Sequence, residues 1–327
     1  MAGHPTNHDS AGGYEHYYVP DQSRLAICGA FGLFLSVFGA AKVINDHTHG
    51  AAEGSHSSFF LFAGLAFFLA TLFSWFRTTI KENRAGMNSR QLKHSYVLGM
   101  QWFIFSEVMF FFAFFGALFY VRNLAGPWLG SEGDKAMNHL LWGDFKYSWP
   151  LMETPQQAIG GVAKQALANN GVFAGPEKNM GFPGWSNIKG WLPLWNTIFL
   201  LSSSFTVHIA HMGLKENNRA KLKIWLGATL LLGFAFVFLQ YKEYHEAFTE
   251  YGLTLHSGIY GTTFFMLTGF HGFHVMMGAF ILLVQFLRIT VSDHFTPEDQ
   301  FGFEAASWYW HFVDVVWVGL FLFVYIL

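Results

Sequence analysis

The sequence predicts an all-α, polytopic membrane protein, and three observations carry that prediction. Hydrophobic residues make up 52% of the 327 positions and charged residues only 12%, against about 25% charged in ordinary soluble domains. The mean hydropathy is positive, at +0.29. Seven segments reach the length a membrane crossing needs, about 20 mostly apolar residues. Nineteen Lys and Arg against 21 Asp and Glu give −2, so no basic field exists to hold nucleic acid. The single cysteine, Cys28, excludes a disulfide framework, a Cys₄ iron–sulfur site and a two-cysteine copper site.

The predicted spans are Leu25 to Ile44, Ser58 to Phe76, Tyr96 to Val121, Leu194 to Met212, Leu222 to Tyr241, His256 to Ile289 and Ala305 to Leu327. Before the first lies a polar arm, residues 1–23, without Lys or Arg in Met1 to Ser23. A cleaved signal peptide needs a basic leader, so the first span reads as a retained helix. The third and sixth spans exceed the minimum and are expected to tilt or project as longer helices. Prolines fall outside the spans or at an edge (Pro20, Pro193, Pro297), where helices begin or break cheaply.

Short connections set the orientation through their Lys and Arg. The second carries Arg77, Lys81, Arg84, Arg90 and Lys93; the fourth carries Lys215, Arg219, Lys221 and Lys223; the sixth adds Arg288. The odd-numbered short connections offer only Lys42 and Lys242. The amino terminus is therefore expected inside and the carboxyl terminus outside. The third connection, 122–192, is long enough to escape the rule. Its indoles (Trp128, Trp142, Trp149, Trp185, Trp191) suit a segment lying at the outer interface.

Ionisable side chains inside spans cost about 2.5–3.5 kcal/mol each at the helix centre, so each is a functional candidate. Glu107 lies mid-span in SEVMFFFAFF, and Asp314 follows His311 by three residues in WYWHFVDVVW. His208 with His211, and His271 with His274, repeat that spacing, which places both members of a pair on one helix face. Imidazoles at this spacing invite a metal or haem reading. The alternative is hydrogen bonding between close-packed helices. No Cys or carboxylate cluster of metal spacing accompanies them, and Gly258, Gly261, Gly269, Gly272 and Gly278 make the sixth span a close-packing helix, so structural packing is the favoured reading. Glu107 stays open between a proton-relay carboxylate and a structural acid bonded to a neighbouring helix. Trp75, Arg77, Lys81, Glu82 and Arg84, where the second span leaves the membrane, fit lipid phosphates and headgroup anchoring as well as ordinary positive-inside flanking. Ser202, Ser203 and Ser204 precede His208 as polar packing rather than a nucleophile–base pair. Neither a phosphate-binding loop nor a dinucleotide fingerprint is present. Two rival functions follow from the polar groups: a secondary transporter or proton channel using Glu107 and Asp314, and a haem-binding electron carrier using the His pairs.

Several of these stretches together resemble the subunit III family of cytochrome c oxidase. They are YGTTFFMLTGFHGFHVMMGAF (Tyr260 to Phe280), FGFEAASWYWHFVDVVW (Phe301 to Trp317), WFIFSEVMFFFAFF (Trp102 to Phe115), PLWNTIFLLSSS (Pro193 to Ser204) and FLQYKEYHEAF (Phe238 to Phe248). The resemblance implies a two-helix bundle within 24–95 and a five-helix bundle within 96–327, enclosing a lipid-filled V-shaped cleft. It implies a non-catalytic subunit without haem or copper of its own, beside haem- and copper-bearing subunits I and II. Such a subunit supports proton uptake and protects the active centre, while the complex passes electrons from cytochrome c to oxygen. Glu107 then matches the family's carbodiimide-reactive carboxylate. Trp75, Arg77, Glu82 and Arg288 match phospholipid-contact positions, and His208, His211, His271, His274, His311 and Asp314 a polar core. Two departures stand out: Trp75 is followed by Phe76 rather than a second Trp, and Gly116 stands where the family has Trp. The long third loop suggests a bacterial chain with an added outward surface for a further subunit or cytochrome c.

Overall fold

The computed structural model describes residues 23–50, 56–133, 138–143, 145–168, 175–292, 294–297 and 299–327. The predicted arm, apart from Ser23, lies outside the described residues. Seven long helices carry the chain: α1 (Leu25–His49), α2 (Ser57–Arg84), α3 (Arg90–Tyr120), α4 (Leu192–Lys215), α5 (Arg219–Thr249), α6 (Gly258–Ser292) and α7 (Phe301–Leu320). Each is long and apolar enough to cross a membrane. A π-turn extends α3 through Val121–Ala125 into Gly126–Leu129, and another extends α7 through Phe321–Ile326. Among the described residues no strand forms beyond an isolated bridge between Thr296 and Asp299. The chain divides into two compact units, Met1–Gly99 and Met100–Leu327.

The helices overrun the hydropathy boundaries. α2 continues from Phe76 to Arg84, and α5 runs past Tyr241 to Thr249. Charged residues lower hydropathy but are good helix formers, so the added turns project beyond the apolar window instead of unwinding. At a rise of about 1.5 Å per residue, the extra eight residues of α5 add about 12 Å.

In the first unit α1 and α2 approach until their backbones touch. A Cβ built on Gly39 would lie 2.2 Å from the Leu61 nitrogen, and one on Gly64 would lie 2.5 Å from the Ser36 nitrogen. Gly32, Ser36 and Gly39 of α1 and Ser57, Gly64 and Thr71 of α2 form the buried faces. Lipid gives apolar side chains no reason to hide, so small residues at the seam and dispersion contacts drive the pairing. Phe34, Phe59, Phe62 and Phe73 remain exposed.

The second unit is built around large rings. Pro193 occupies the first turn of α4, where its missing N–H costs nothing. Asn218 caps α5 by accepting from the Lys221 N–H at 3.0 Å, and this closes a tight α4–α5 hairpin. At its centre Trp310 is fully buried, and its indole N–H donates to Ser203 Oγ at 2.9 Å. A Cβ on Gly233 or Gly278 would stand 2.8 or 2.9 Å from that indole. The glycines of α6 therefore divide by task rather than forming one close-packing face. Gly258 starts the helix with φ +71°, Gly261 fits against Thr254, Gly278 clears space for Trp310, and Gly272 meets nothing within 4 Å.

The connection between α3 and α4 is tied down where it is described. The Tyr147 hydroxyl donates to the Arg122 carbonyl at 2.7 Å, and the Tyr260 hydroxyl accepts from the Met180 N–H at 2.9 Å. Burial raises the Tyr147 phenol above its ordinary pKa, with the nearby Arg122 charge opposing the shift.

Candidate functional site

The polar groups of the second unit gather into three sets, each joined across helices. The first contains Glu107 of α3 and His274 of α6, with Oε2 and Nε2 2.9 Å apart. His274 Nδ1 lies 2.6 Å from the Phe270 carbonyl. A carbonyl only accepts, so Nδ1 carries a proton. The Nε2–Oε2 bond then needs a second proton, on either the acid or the imidazole. The pair is net neutral in both arrangements, which suits a low-dielectric interior. His271, one turn earlier, is fully buried, and neither ring nitrogen has a hydrogen-bond partner among the described residues. Its ring packs against Trp317, Phe236 and Phe111.

The second set runs along facing stripes of α4 and α7. Ser204 Oγ and His311 Nδ1 share a 2.7 Å hydrogen bond, and Asp314 Oδ2 lies 3.8 Å from that nitrogen. Asp314 is buried beside the Ser204 hydroxyl. Further along, His211 Nε2 stands 3.5 Å from Glu304. His208 departs from the expected polar core. It is exposed on α4, because positions 203, 207 and 210 turn inward and leave position 208 on the opposite flank. The His311 side chain is 38% exposed. These imidazoles thus stand on the surface of helices that otherwise present apolar side chains.

The third set escaped the sequence reading. Glu243 of α5 is fully buried, accepting from the Tyr325 hydroxyl at 2.6 Å and the Asn196 amide at 3.3 Å. The predicted span stopped at Tyr241, which left Glu243 in a connection. The spacing Gln240, Glu243, Ala247, all buried, is the helical signal that would have found it.

Arg288 donates to Gln285 Oε1 at 3.1 Å and to His294 Nδ1 at 3.4 Å, and its guanidinium lies 4.4 Å from the Phe295 ring centre. Described within the first unit, Trp75 and Arg77 are exposed and Glu82 is half-buried on α2. Among the described residues no three His, Cys, Asp or Glu side chains converge as a metal site.

A family model described as cytochrome c oxidase subunit III matches residues 15–131 and 184–327, about four-fifths of the chain. The chain belongs to the cytochrome c oxidase subunit III family. Relatives named cytochrome c oxidase subunit 3 from Loxodonta africana and Squalus acanthias are each 34% identical over 310 residues. One of the same name from Scyliorhinus canicula is 35% identical over 310 residues. Each alignment covers 94% of this chain and 96% of the relative. The family match takes in all seven long helices and passes over 132–183, so the added length lies in the connection between α3 and α4.

Proposed function

We propose that this chain is a non-catalytic core subunit of cytochrome c oxidase. It sits against haem- and copper-bearing subunits I and II, binds phospholipid and supports proton uptake. The complex transfers electrons from cytochrome c to oxygen and pumps protons. The observation that carries this reading, with the family membership, is the polar stripe on α4 and α7. His208 is exposed and His311 half-buried within spanning helices, and a buried Asp314 lies beside His311. Facing hydrocarbon, a charged group would cost about 2.5–3.5 kcal/mol near the helix centre by insertion scales, and a neutral imidazole would still forfeit its hydrogen bonds to water. Polypeptide cover removes that cost, and a partner subunit supplies it.

The basic groups suit lipid retention. Arg77 is exposed where α2 extends past its apolar stretch, and Trp75 is exposed one half-turn away. Arg288 is held in place by Gln285, His294 and the Phe295 ring, a geometry that presents a planar cation to a phosphate. In this reading Glu107 is a protonatable group, and the setting is a bacterial inner membrane with the amino terminus inside. The α3–α4 connection offers a surface for a further subunit or cytochrome c.

The test is co-purification. Affinity-tagged chain, extracted in mild detergent from cells with an active oxidase, is expected to carry haem and copper in fixed ratio through partner subunits. A chain migrating alone would contradict the proposal. Proton movement by the isolated, reconstituted chain, lost in Glu107→Gln, would favour the channel reading instead.

A further inference from the structure

The cluster around Glu243 does not end in solid packing. Glu243 lines a cavity of about 570 Å³ whose other walls come from residues between Glu177 and Pro193 and from Glu246 and Tyr251. Its two hydrogen-bond donors, the Tyr325 hydroxyl and the Asn196 amide, are both neutral. A carboxylate can accept about four hydrogen bonds, so unused acceptor capacity remains. Buried charges are ordinarily paired, yet no cation contacts Glu243 among the described residues. Asn196 Oδ1, on the amide that donates to Glu243, is also buried without a hydrogen bond among the described residues.

The walls define which cation fits. Phe182, Trp191 and Tyr251 line the cavity, and the first two pack edge to face with centres 5.5 Å apart. Burial first, and then the charges of Glu246 and Glu250, push the Tyr251 phenol above its ordinary pKa and keep it a neutral ring. The cavity already accommodates one ammonium, since Lys178 Nζ lies 5.5 Å from the Tyr251 ring centre. Aromatic faces beside carboxylates attract organic ammonium groups. A bare divalent ion wants six or more converging oxygen ligands, and among the described residues no three His, Cys, Asp or Glu side chains converge to hold one. The volume falls in the range of small-molecule sites, about 300–1,000 Å³.

We propose that this cavity binds an organic ammonium group, directed at Glu243 and Glu246 beside the Trp191 ring, while Lys178 keeps the Tyr251 ring. It lies where α4 begins and α5 ends, so both a phospholipid ethanolamine or choline headgroup and a soluble amine could deliver that group. Residues 177–183 of the wall fall in the segment outside the family match, which makes the site a property of this chain's own connection. It goes beyond the accessory role and stands on separate residues.

The intact complex, in nanodiscs of mixed phosphatidylethanolamine, phosphatidylcholine and phosphatidylglycerol, is washed in detergent and its retained lipid counted by mass spectrometry. In parallel, choline and ethanolamine are titrated by ligand-observed NMR. Selective retention of ammonium-bearing lipid, reduced about tenfold in Glu246→Gln, supports the site with lipid as the source. Saturable amine binding without lipid selectivity, weakened likewise in Glu246→Gln, supports it with a soluble source. Equal retention of phosphatidylglycerol with no saturable amine binding overturns it, as does indifference of both readouts to Glu246→Gln. Glu246 is only half-buried, so that variant keeps the test valid if Glu243→Gln fails to fold. Unchanged haem and copper content in the variants separates failure here from failure of the accessory role.

Discussion

The two units share one solvent, lipid, and are held together by different forces. In the first, α1 and α2 meet along glycine and serine faces, and the buried hydroxyls of Ser36 and Thr71 donate to carbonyls of their own helices at 2.8 and 2.9 Å. In the second, hydrogen bonds pass between helices, from Trp310 to Ser203, Trp317 to Thr197 and Tyr244 to Thr268, around fully buried indoles. Backbone proximity suffices to pair two helices. A bundle of five also needs directional contacts to fix each helix's rotation, because apolar surface alone does not distinguish its faces in lipid. Chemistry-bearing residues accordingly concentrate in the second unit.

Substitutions that attack each device should separate the two modes. The largest loss is expected for Trp310→Ala, about 3–5 kcal/mol from lost contacts and the residual cavity. Thermal unfolding followed by near-ultraviolet circular dichroism would show it. A shift below about 1 kcal/mol would mean that the indole does not organise the bundle. Next comes Gly39→Leu, whose added atoms meet the Leu61 backbone and should cost roughly 1–3 kcal/mol or more. Protease sensitivity should rise in the first unit while the second keeps its melting profile. Simultaneous loss of both would show that the units are not independently stabilised.

Ser203→Ala should be milder, about 1 kcal/mol, because it leaves the Trp310 N–H unpaired. The smallest effect is expected for Glu107→Gln. Glu107→Gln can still donate an amide N–H to His274 Nε2, so stability should fall by under about 1 kcal/mol, whereas Glu107→Leu, which leaves the imidazole without its partner, should cost about 1–2 kcal/mol. Equal losses in the two variants would argue against the shared-proton geometry.

The spans were legible because bilayer thickness imposes a length that hydropathy reveals directly. Their pairings were not. Glu107 and His274 are separated by 167 positions, and the contact depends on how two nearly uniformly apolar helices are rotated. Glu107 and the His pairs could be singled out by their cost in lipid, but which faced a neighbour and which faced outward could not. His208 illustrates this: its spacing from His211 is that of a core pair, yet it emerges exposed. Glu243 was hidden for the opposite reason, since Lys242 and Glu246 beside it made a buried helical turn resemble a connection.

The central claim is that the imidazole stripe of α4 and α7, with His208 at its exposed edge, is covered by a partner subunit. A single cysteine at position 208, introduced as His208→Cys in a Cys28→Ser background, tests it most directly with a membrane-permeant maleimide. The account predicts strong protection in the intact haem- and copper-containing complex and rapid labelling once the chain is stripped from it. Equally rapid labelling in both states would place the stripe against lipid or water and contradict the claim.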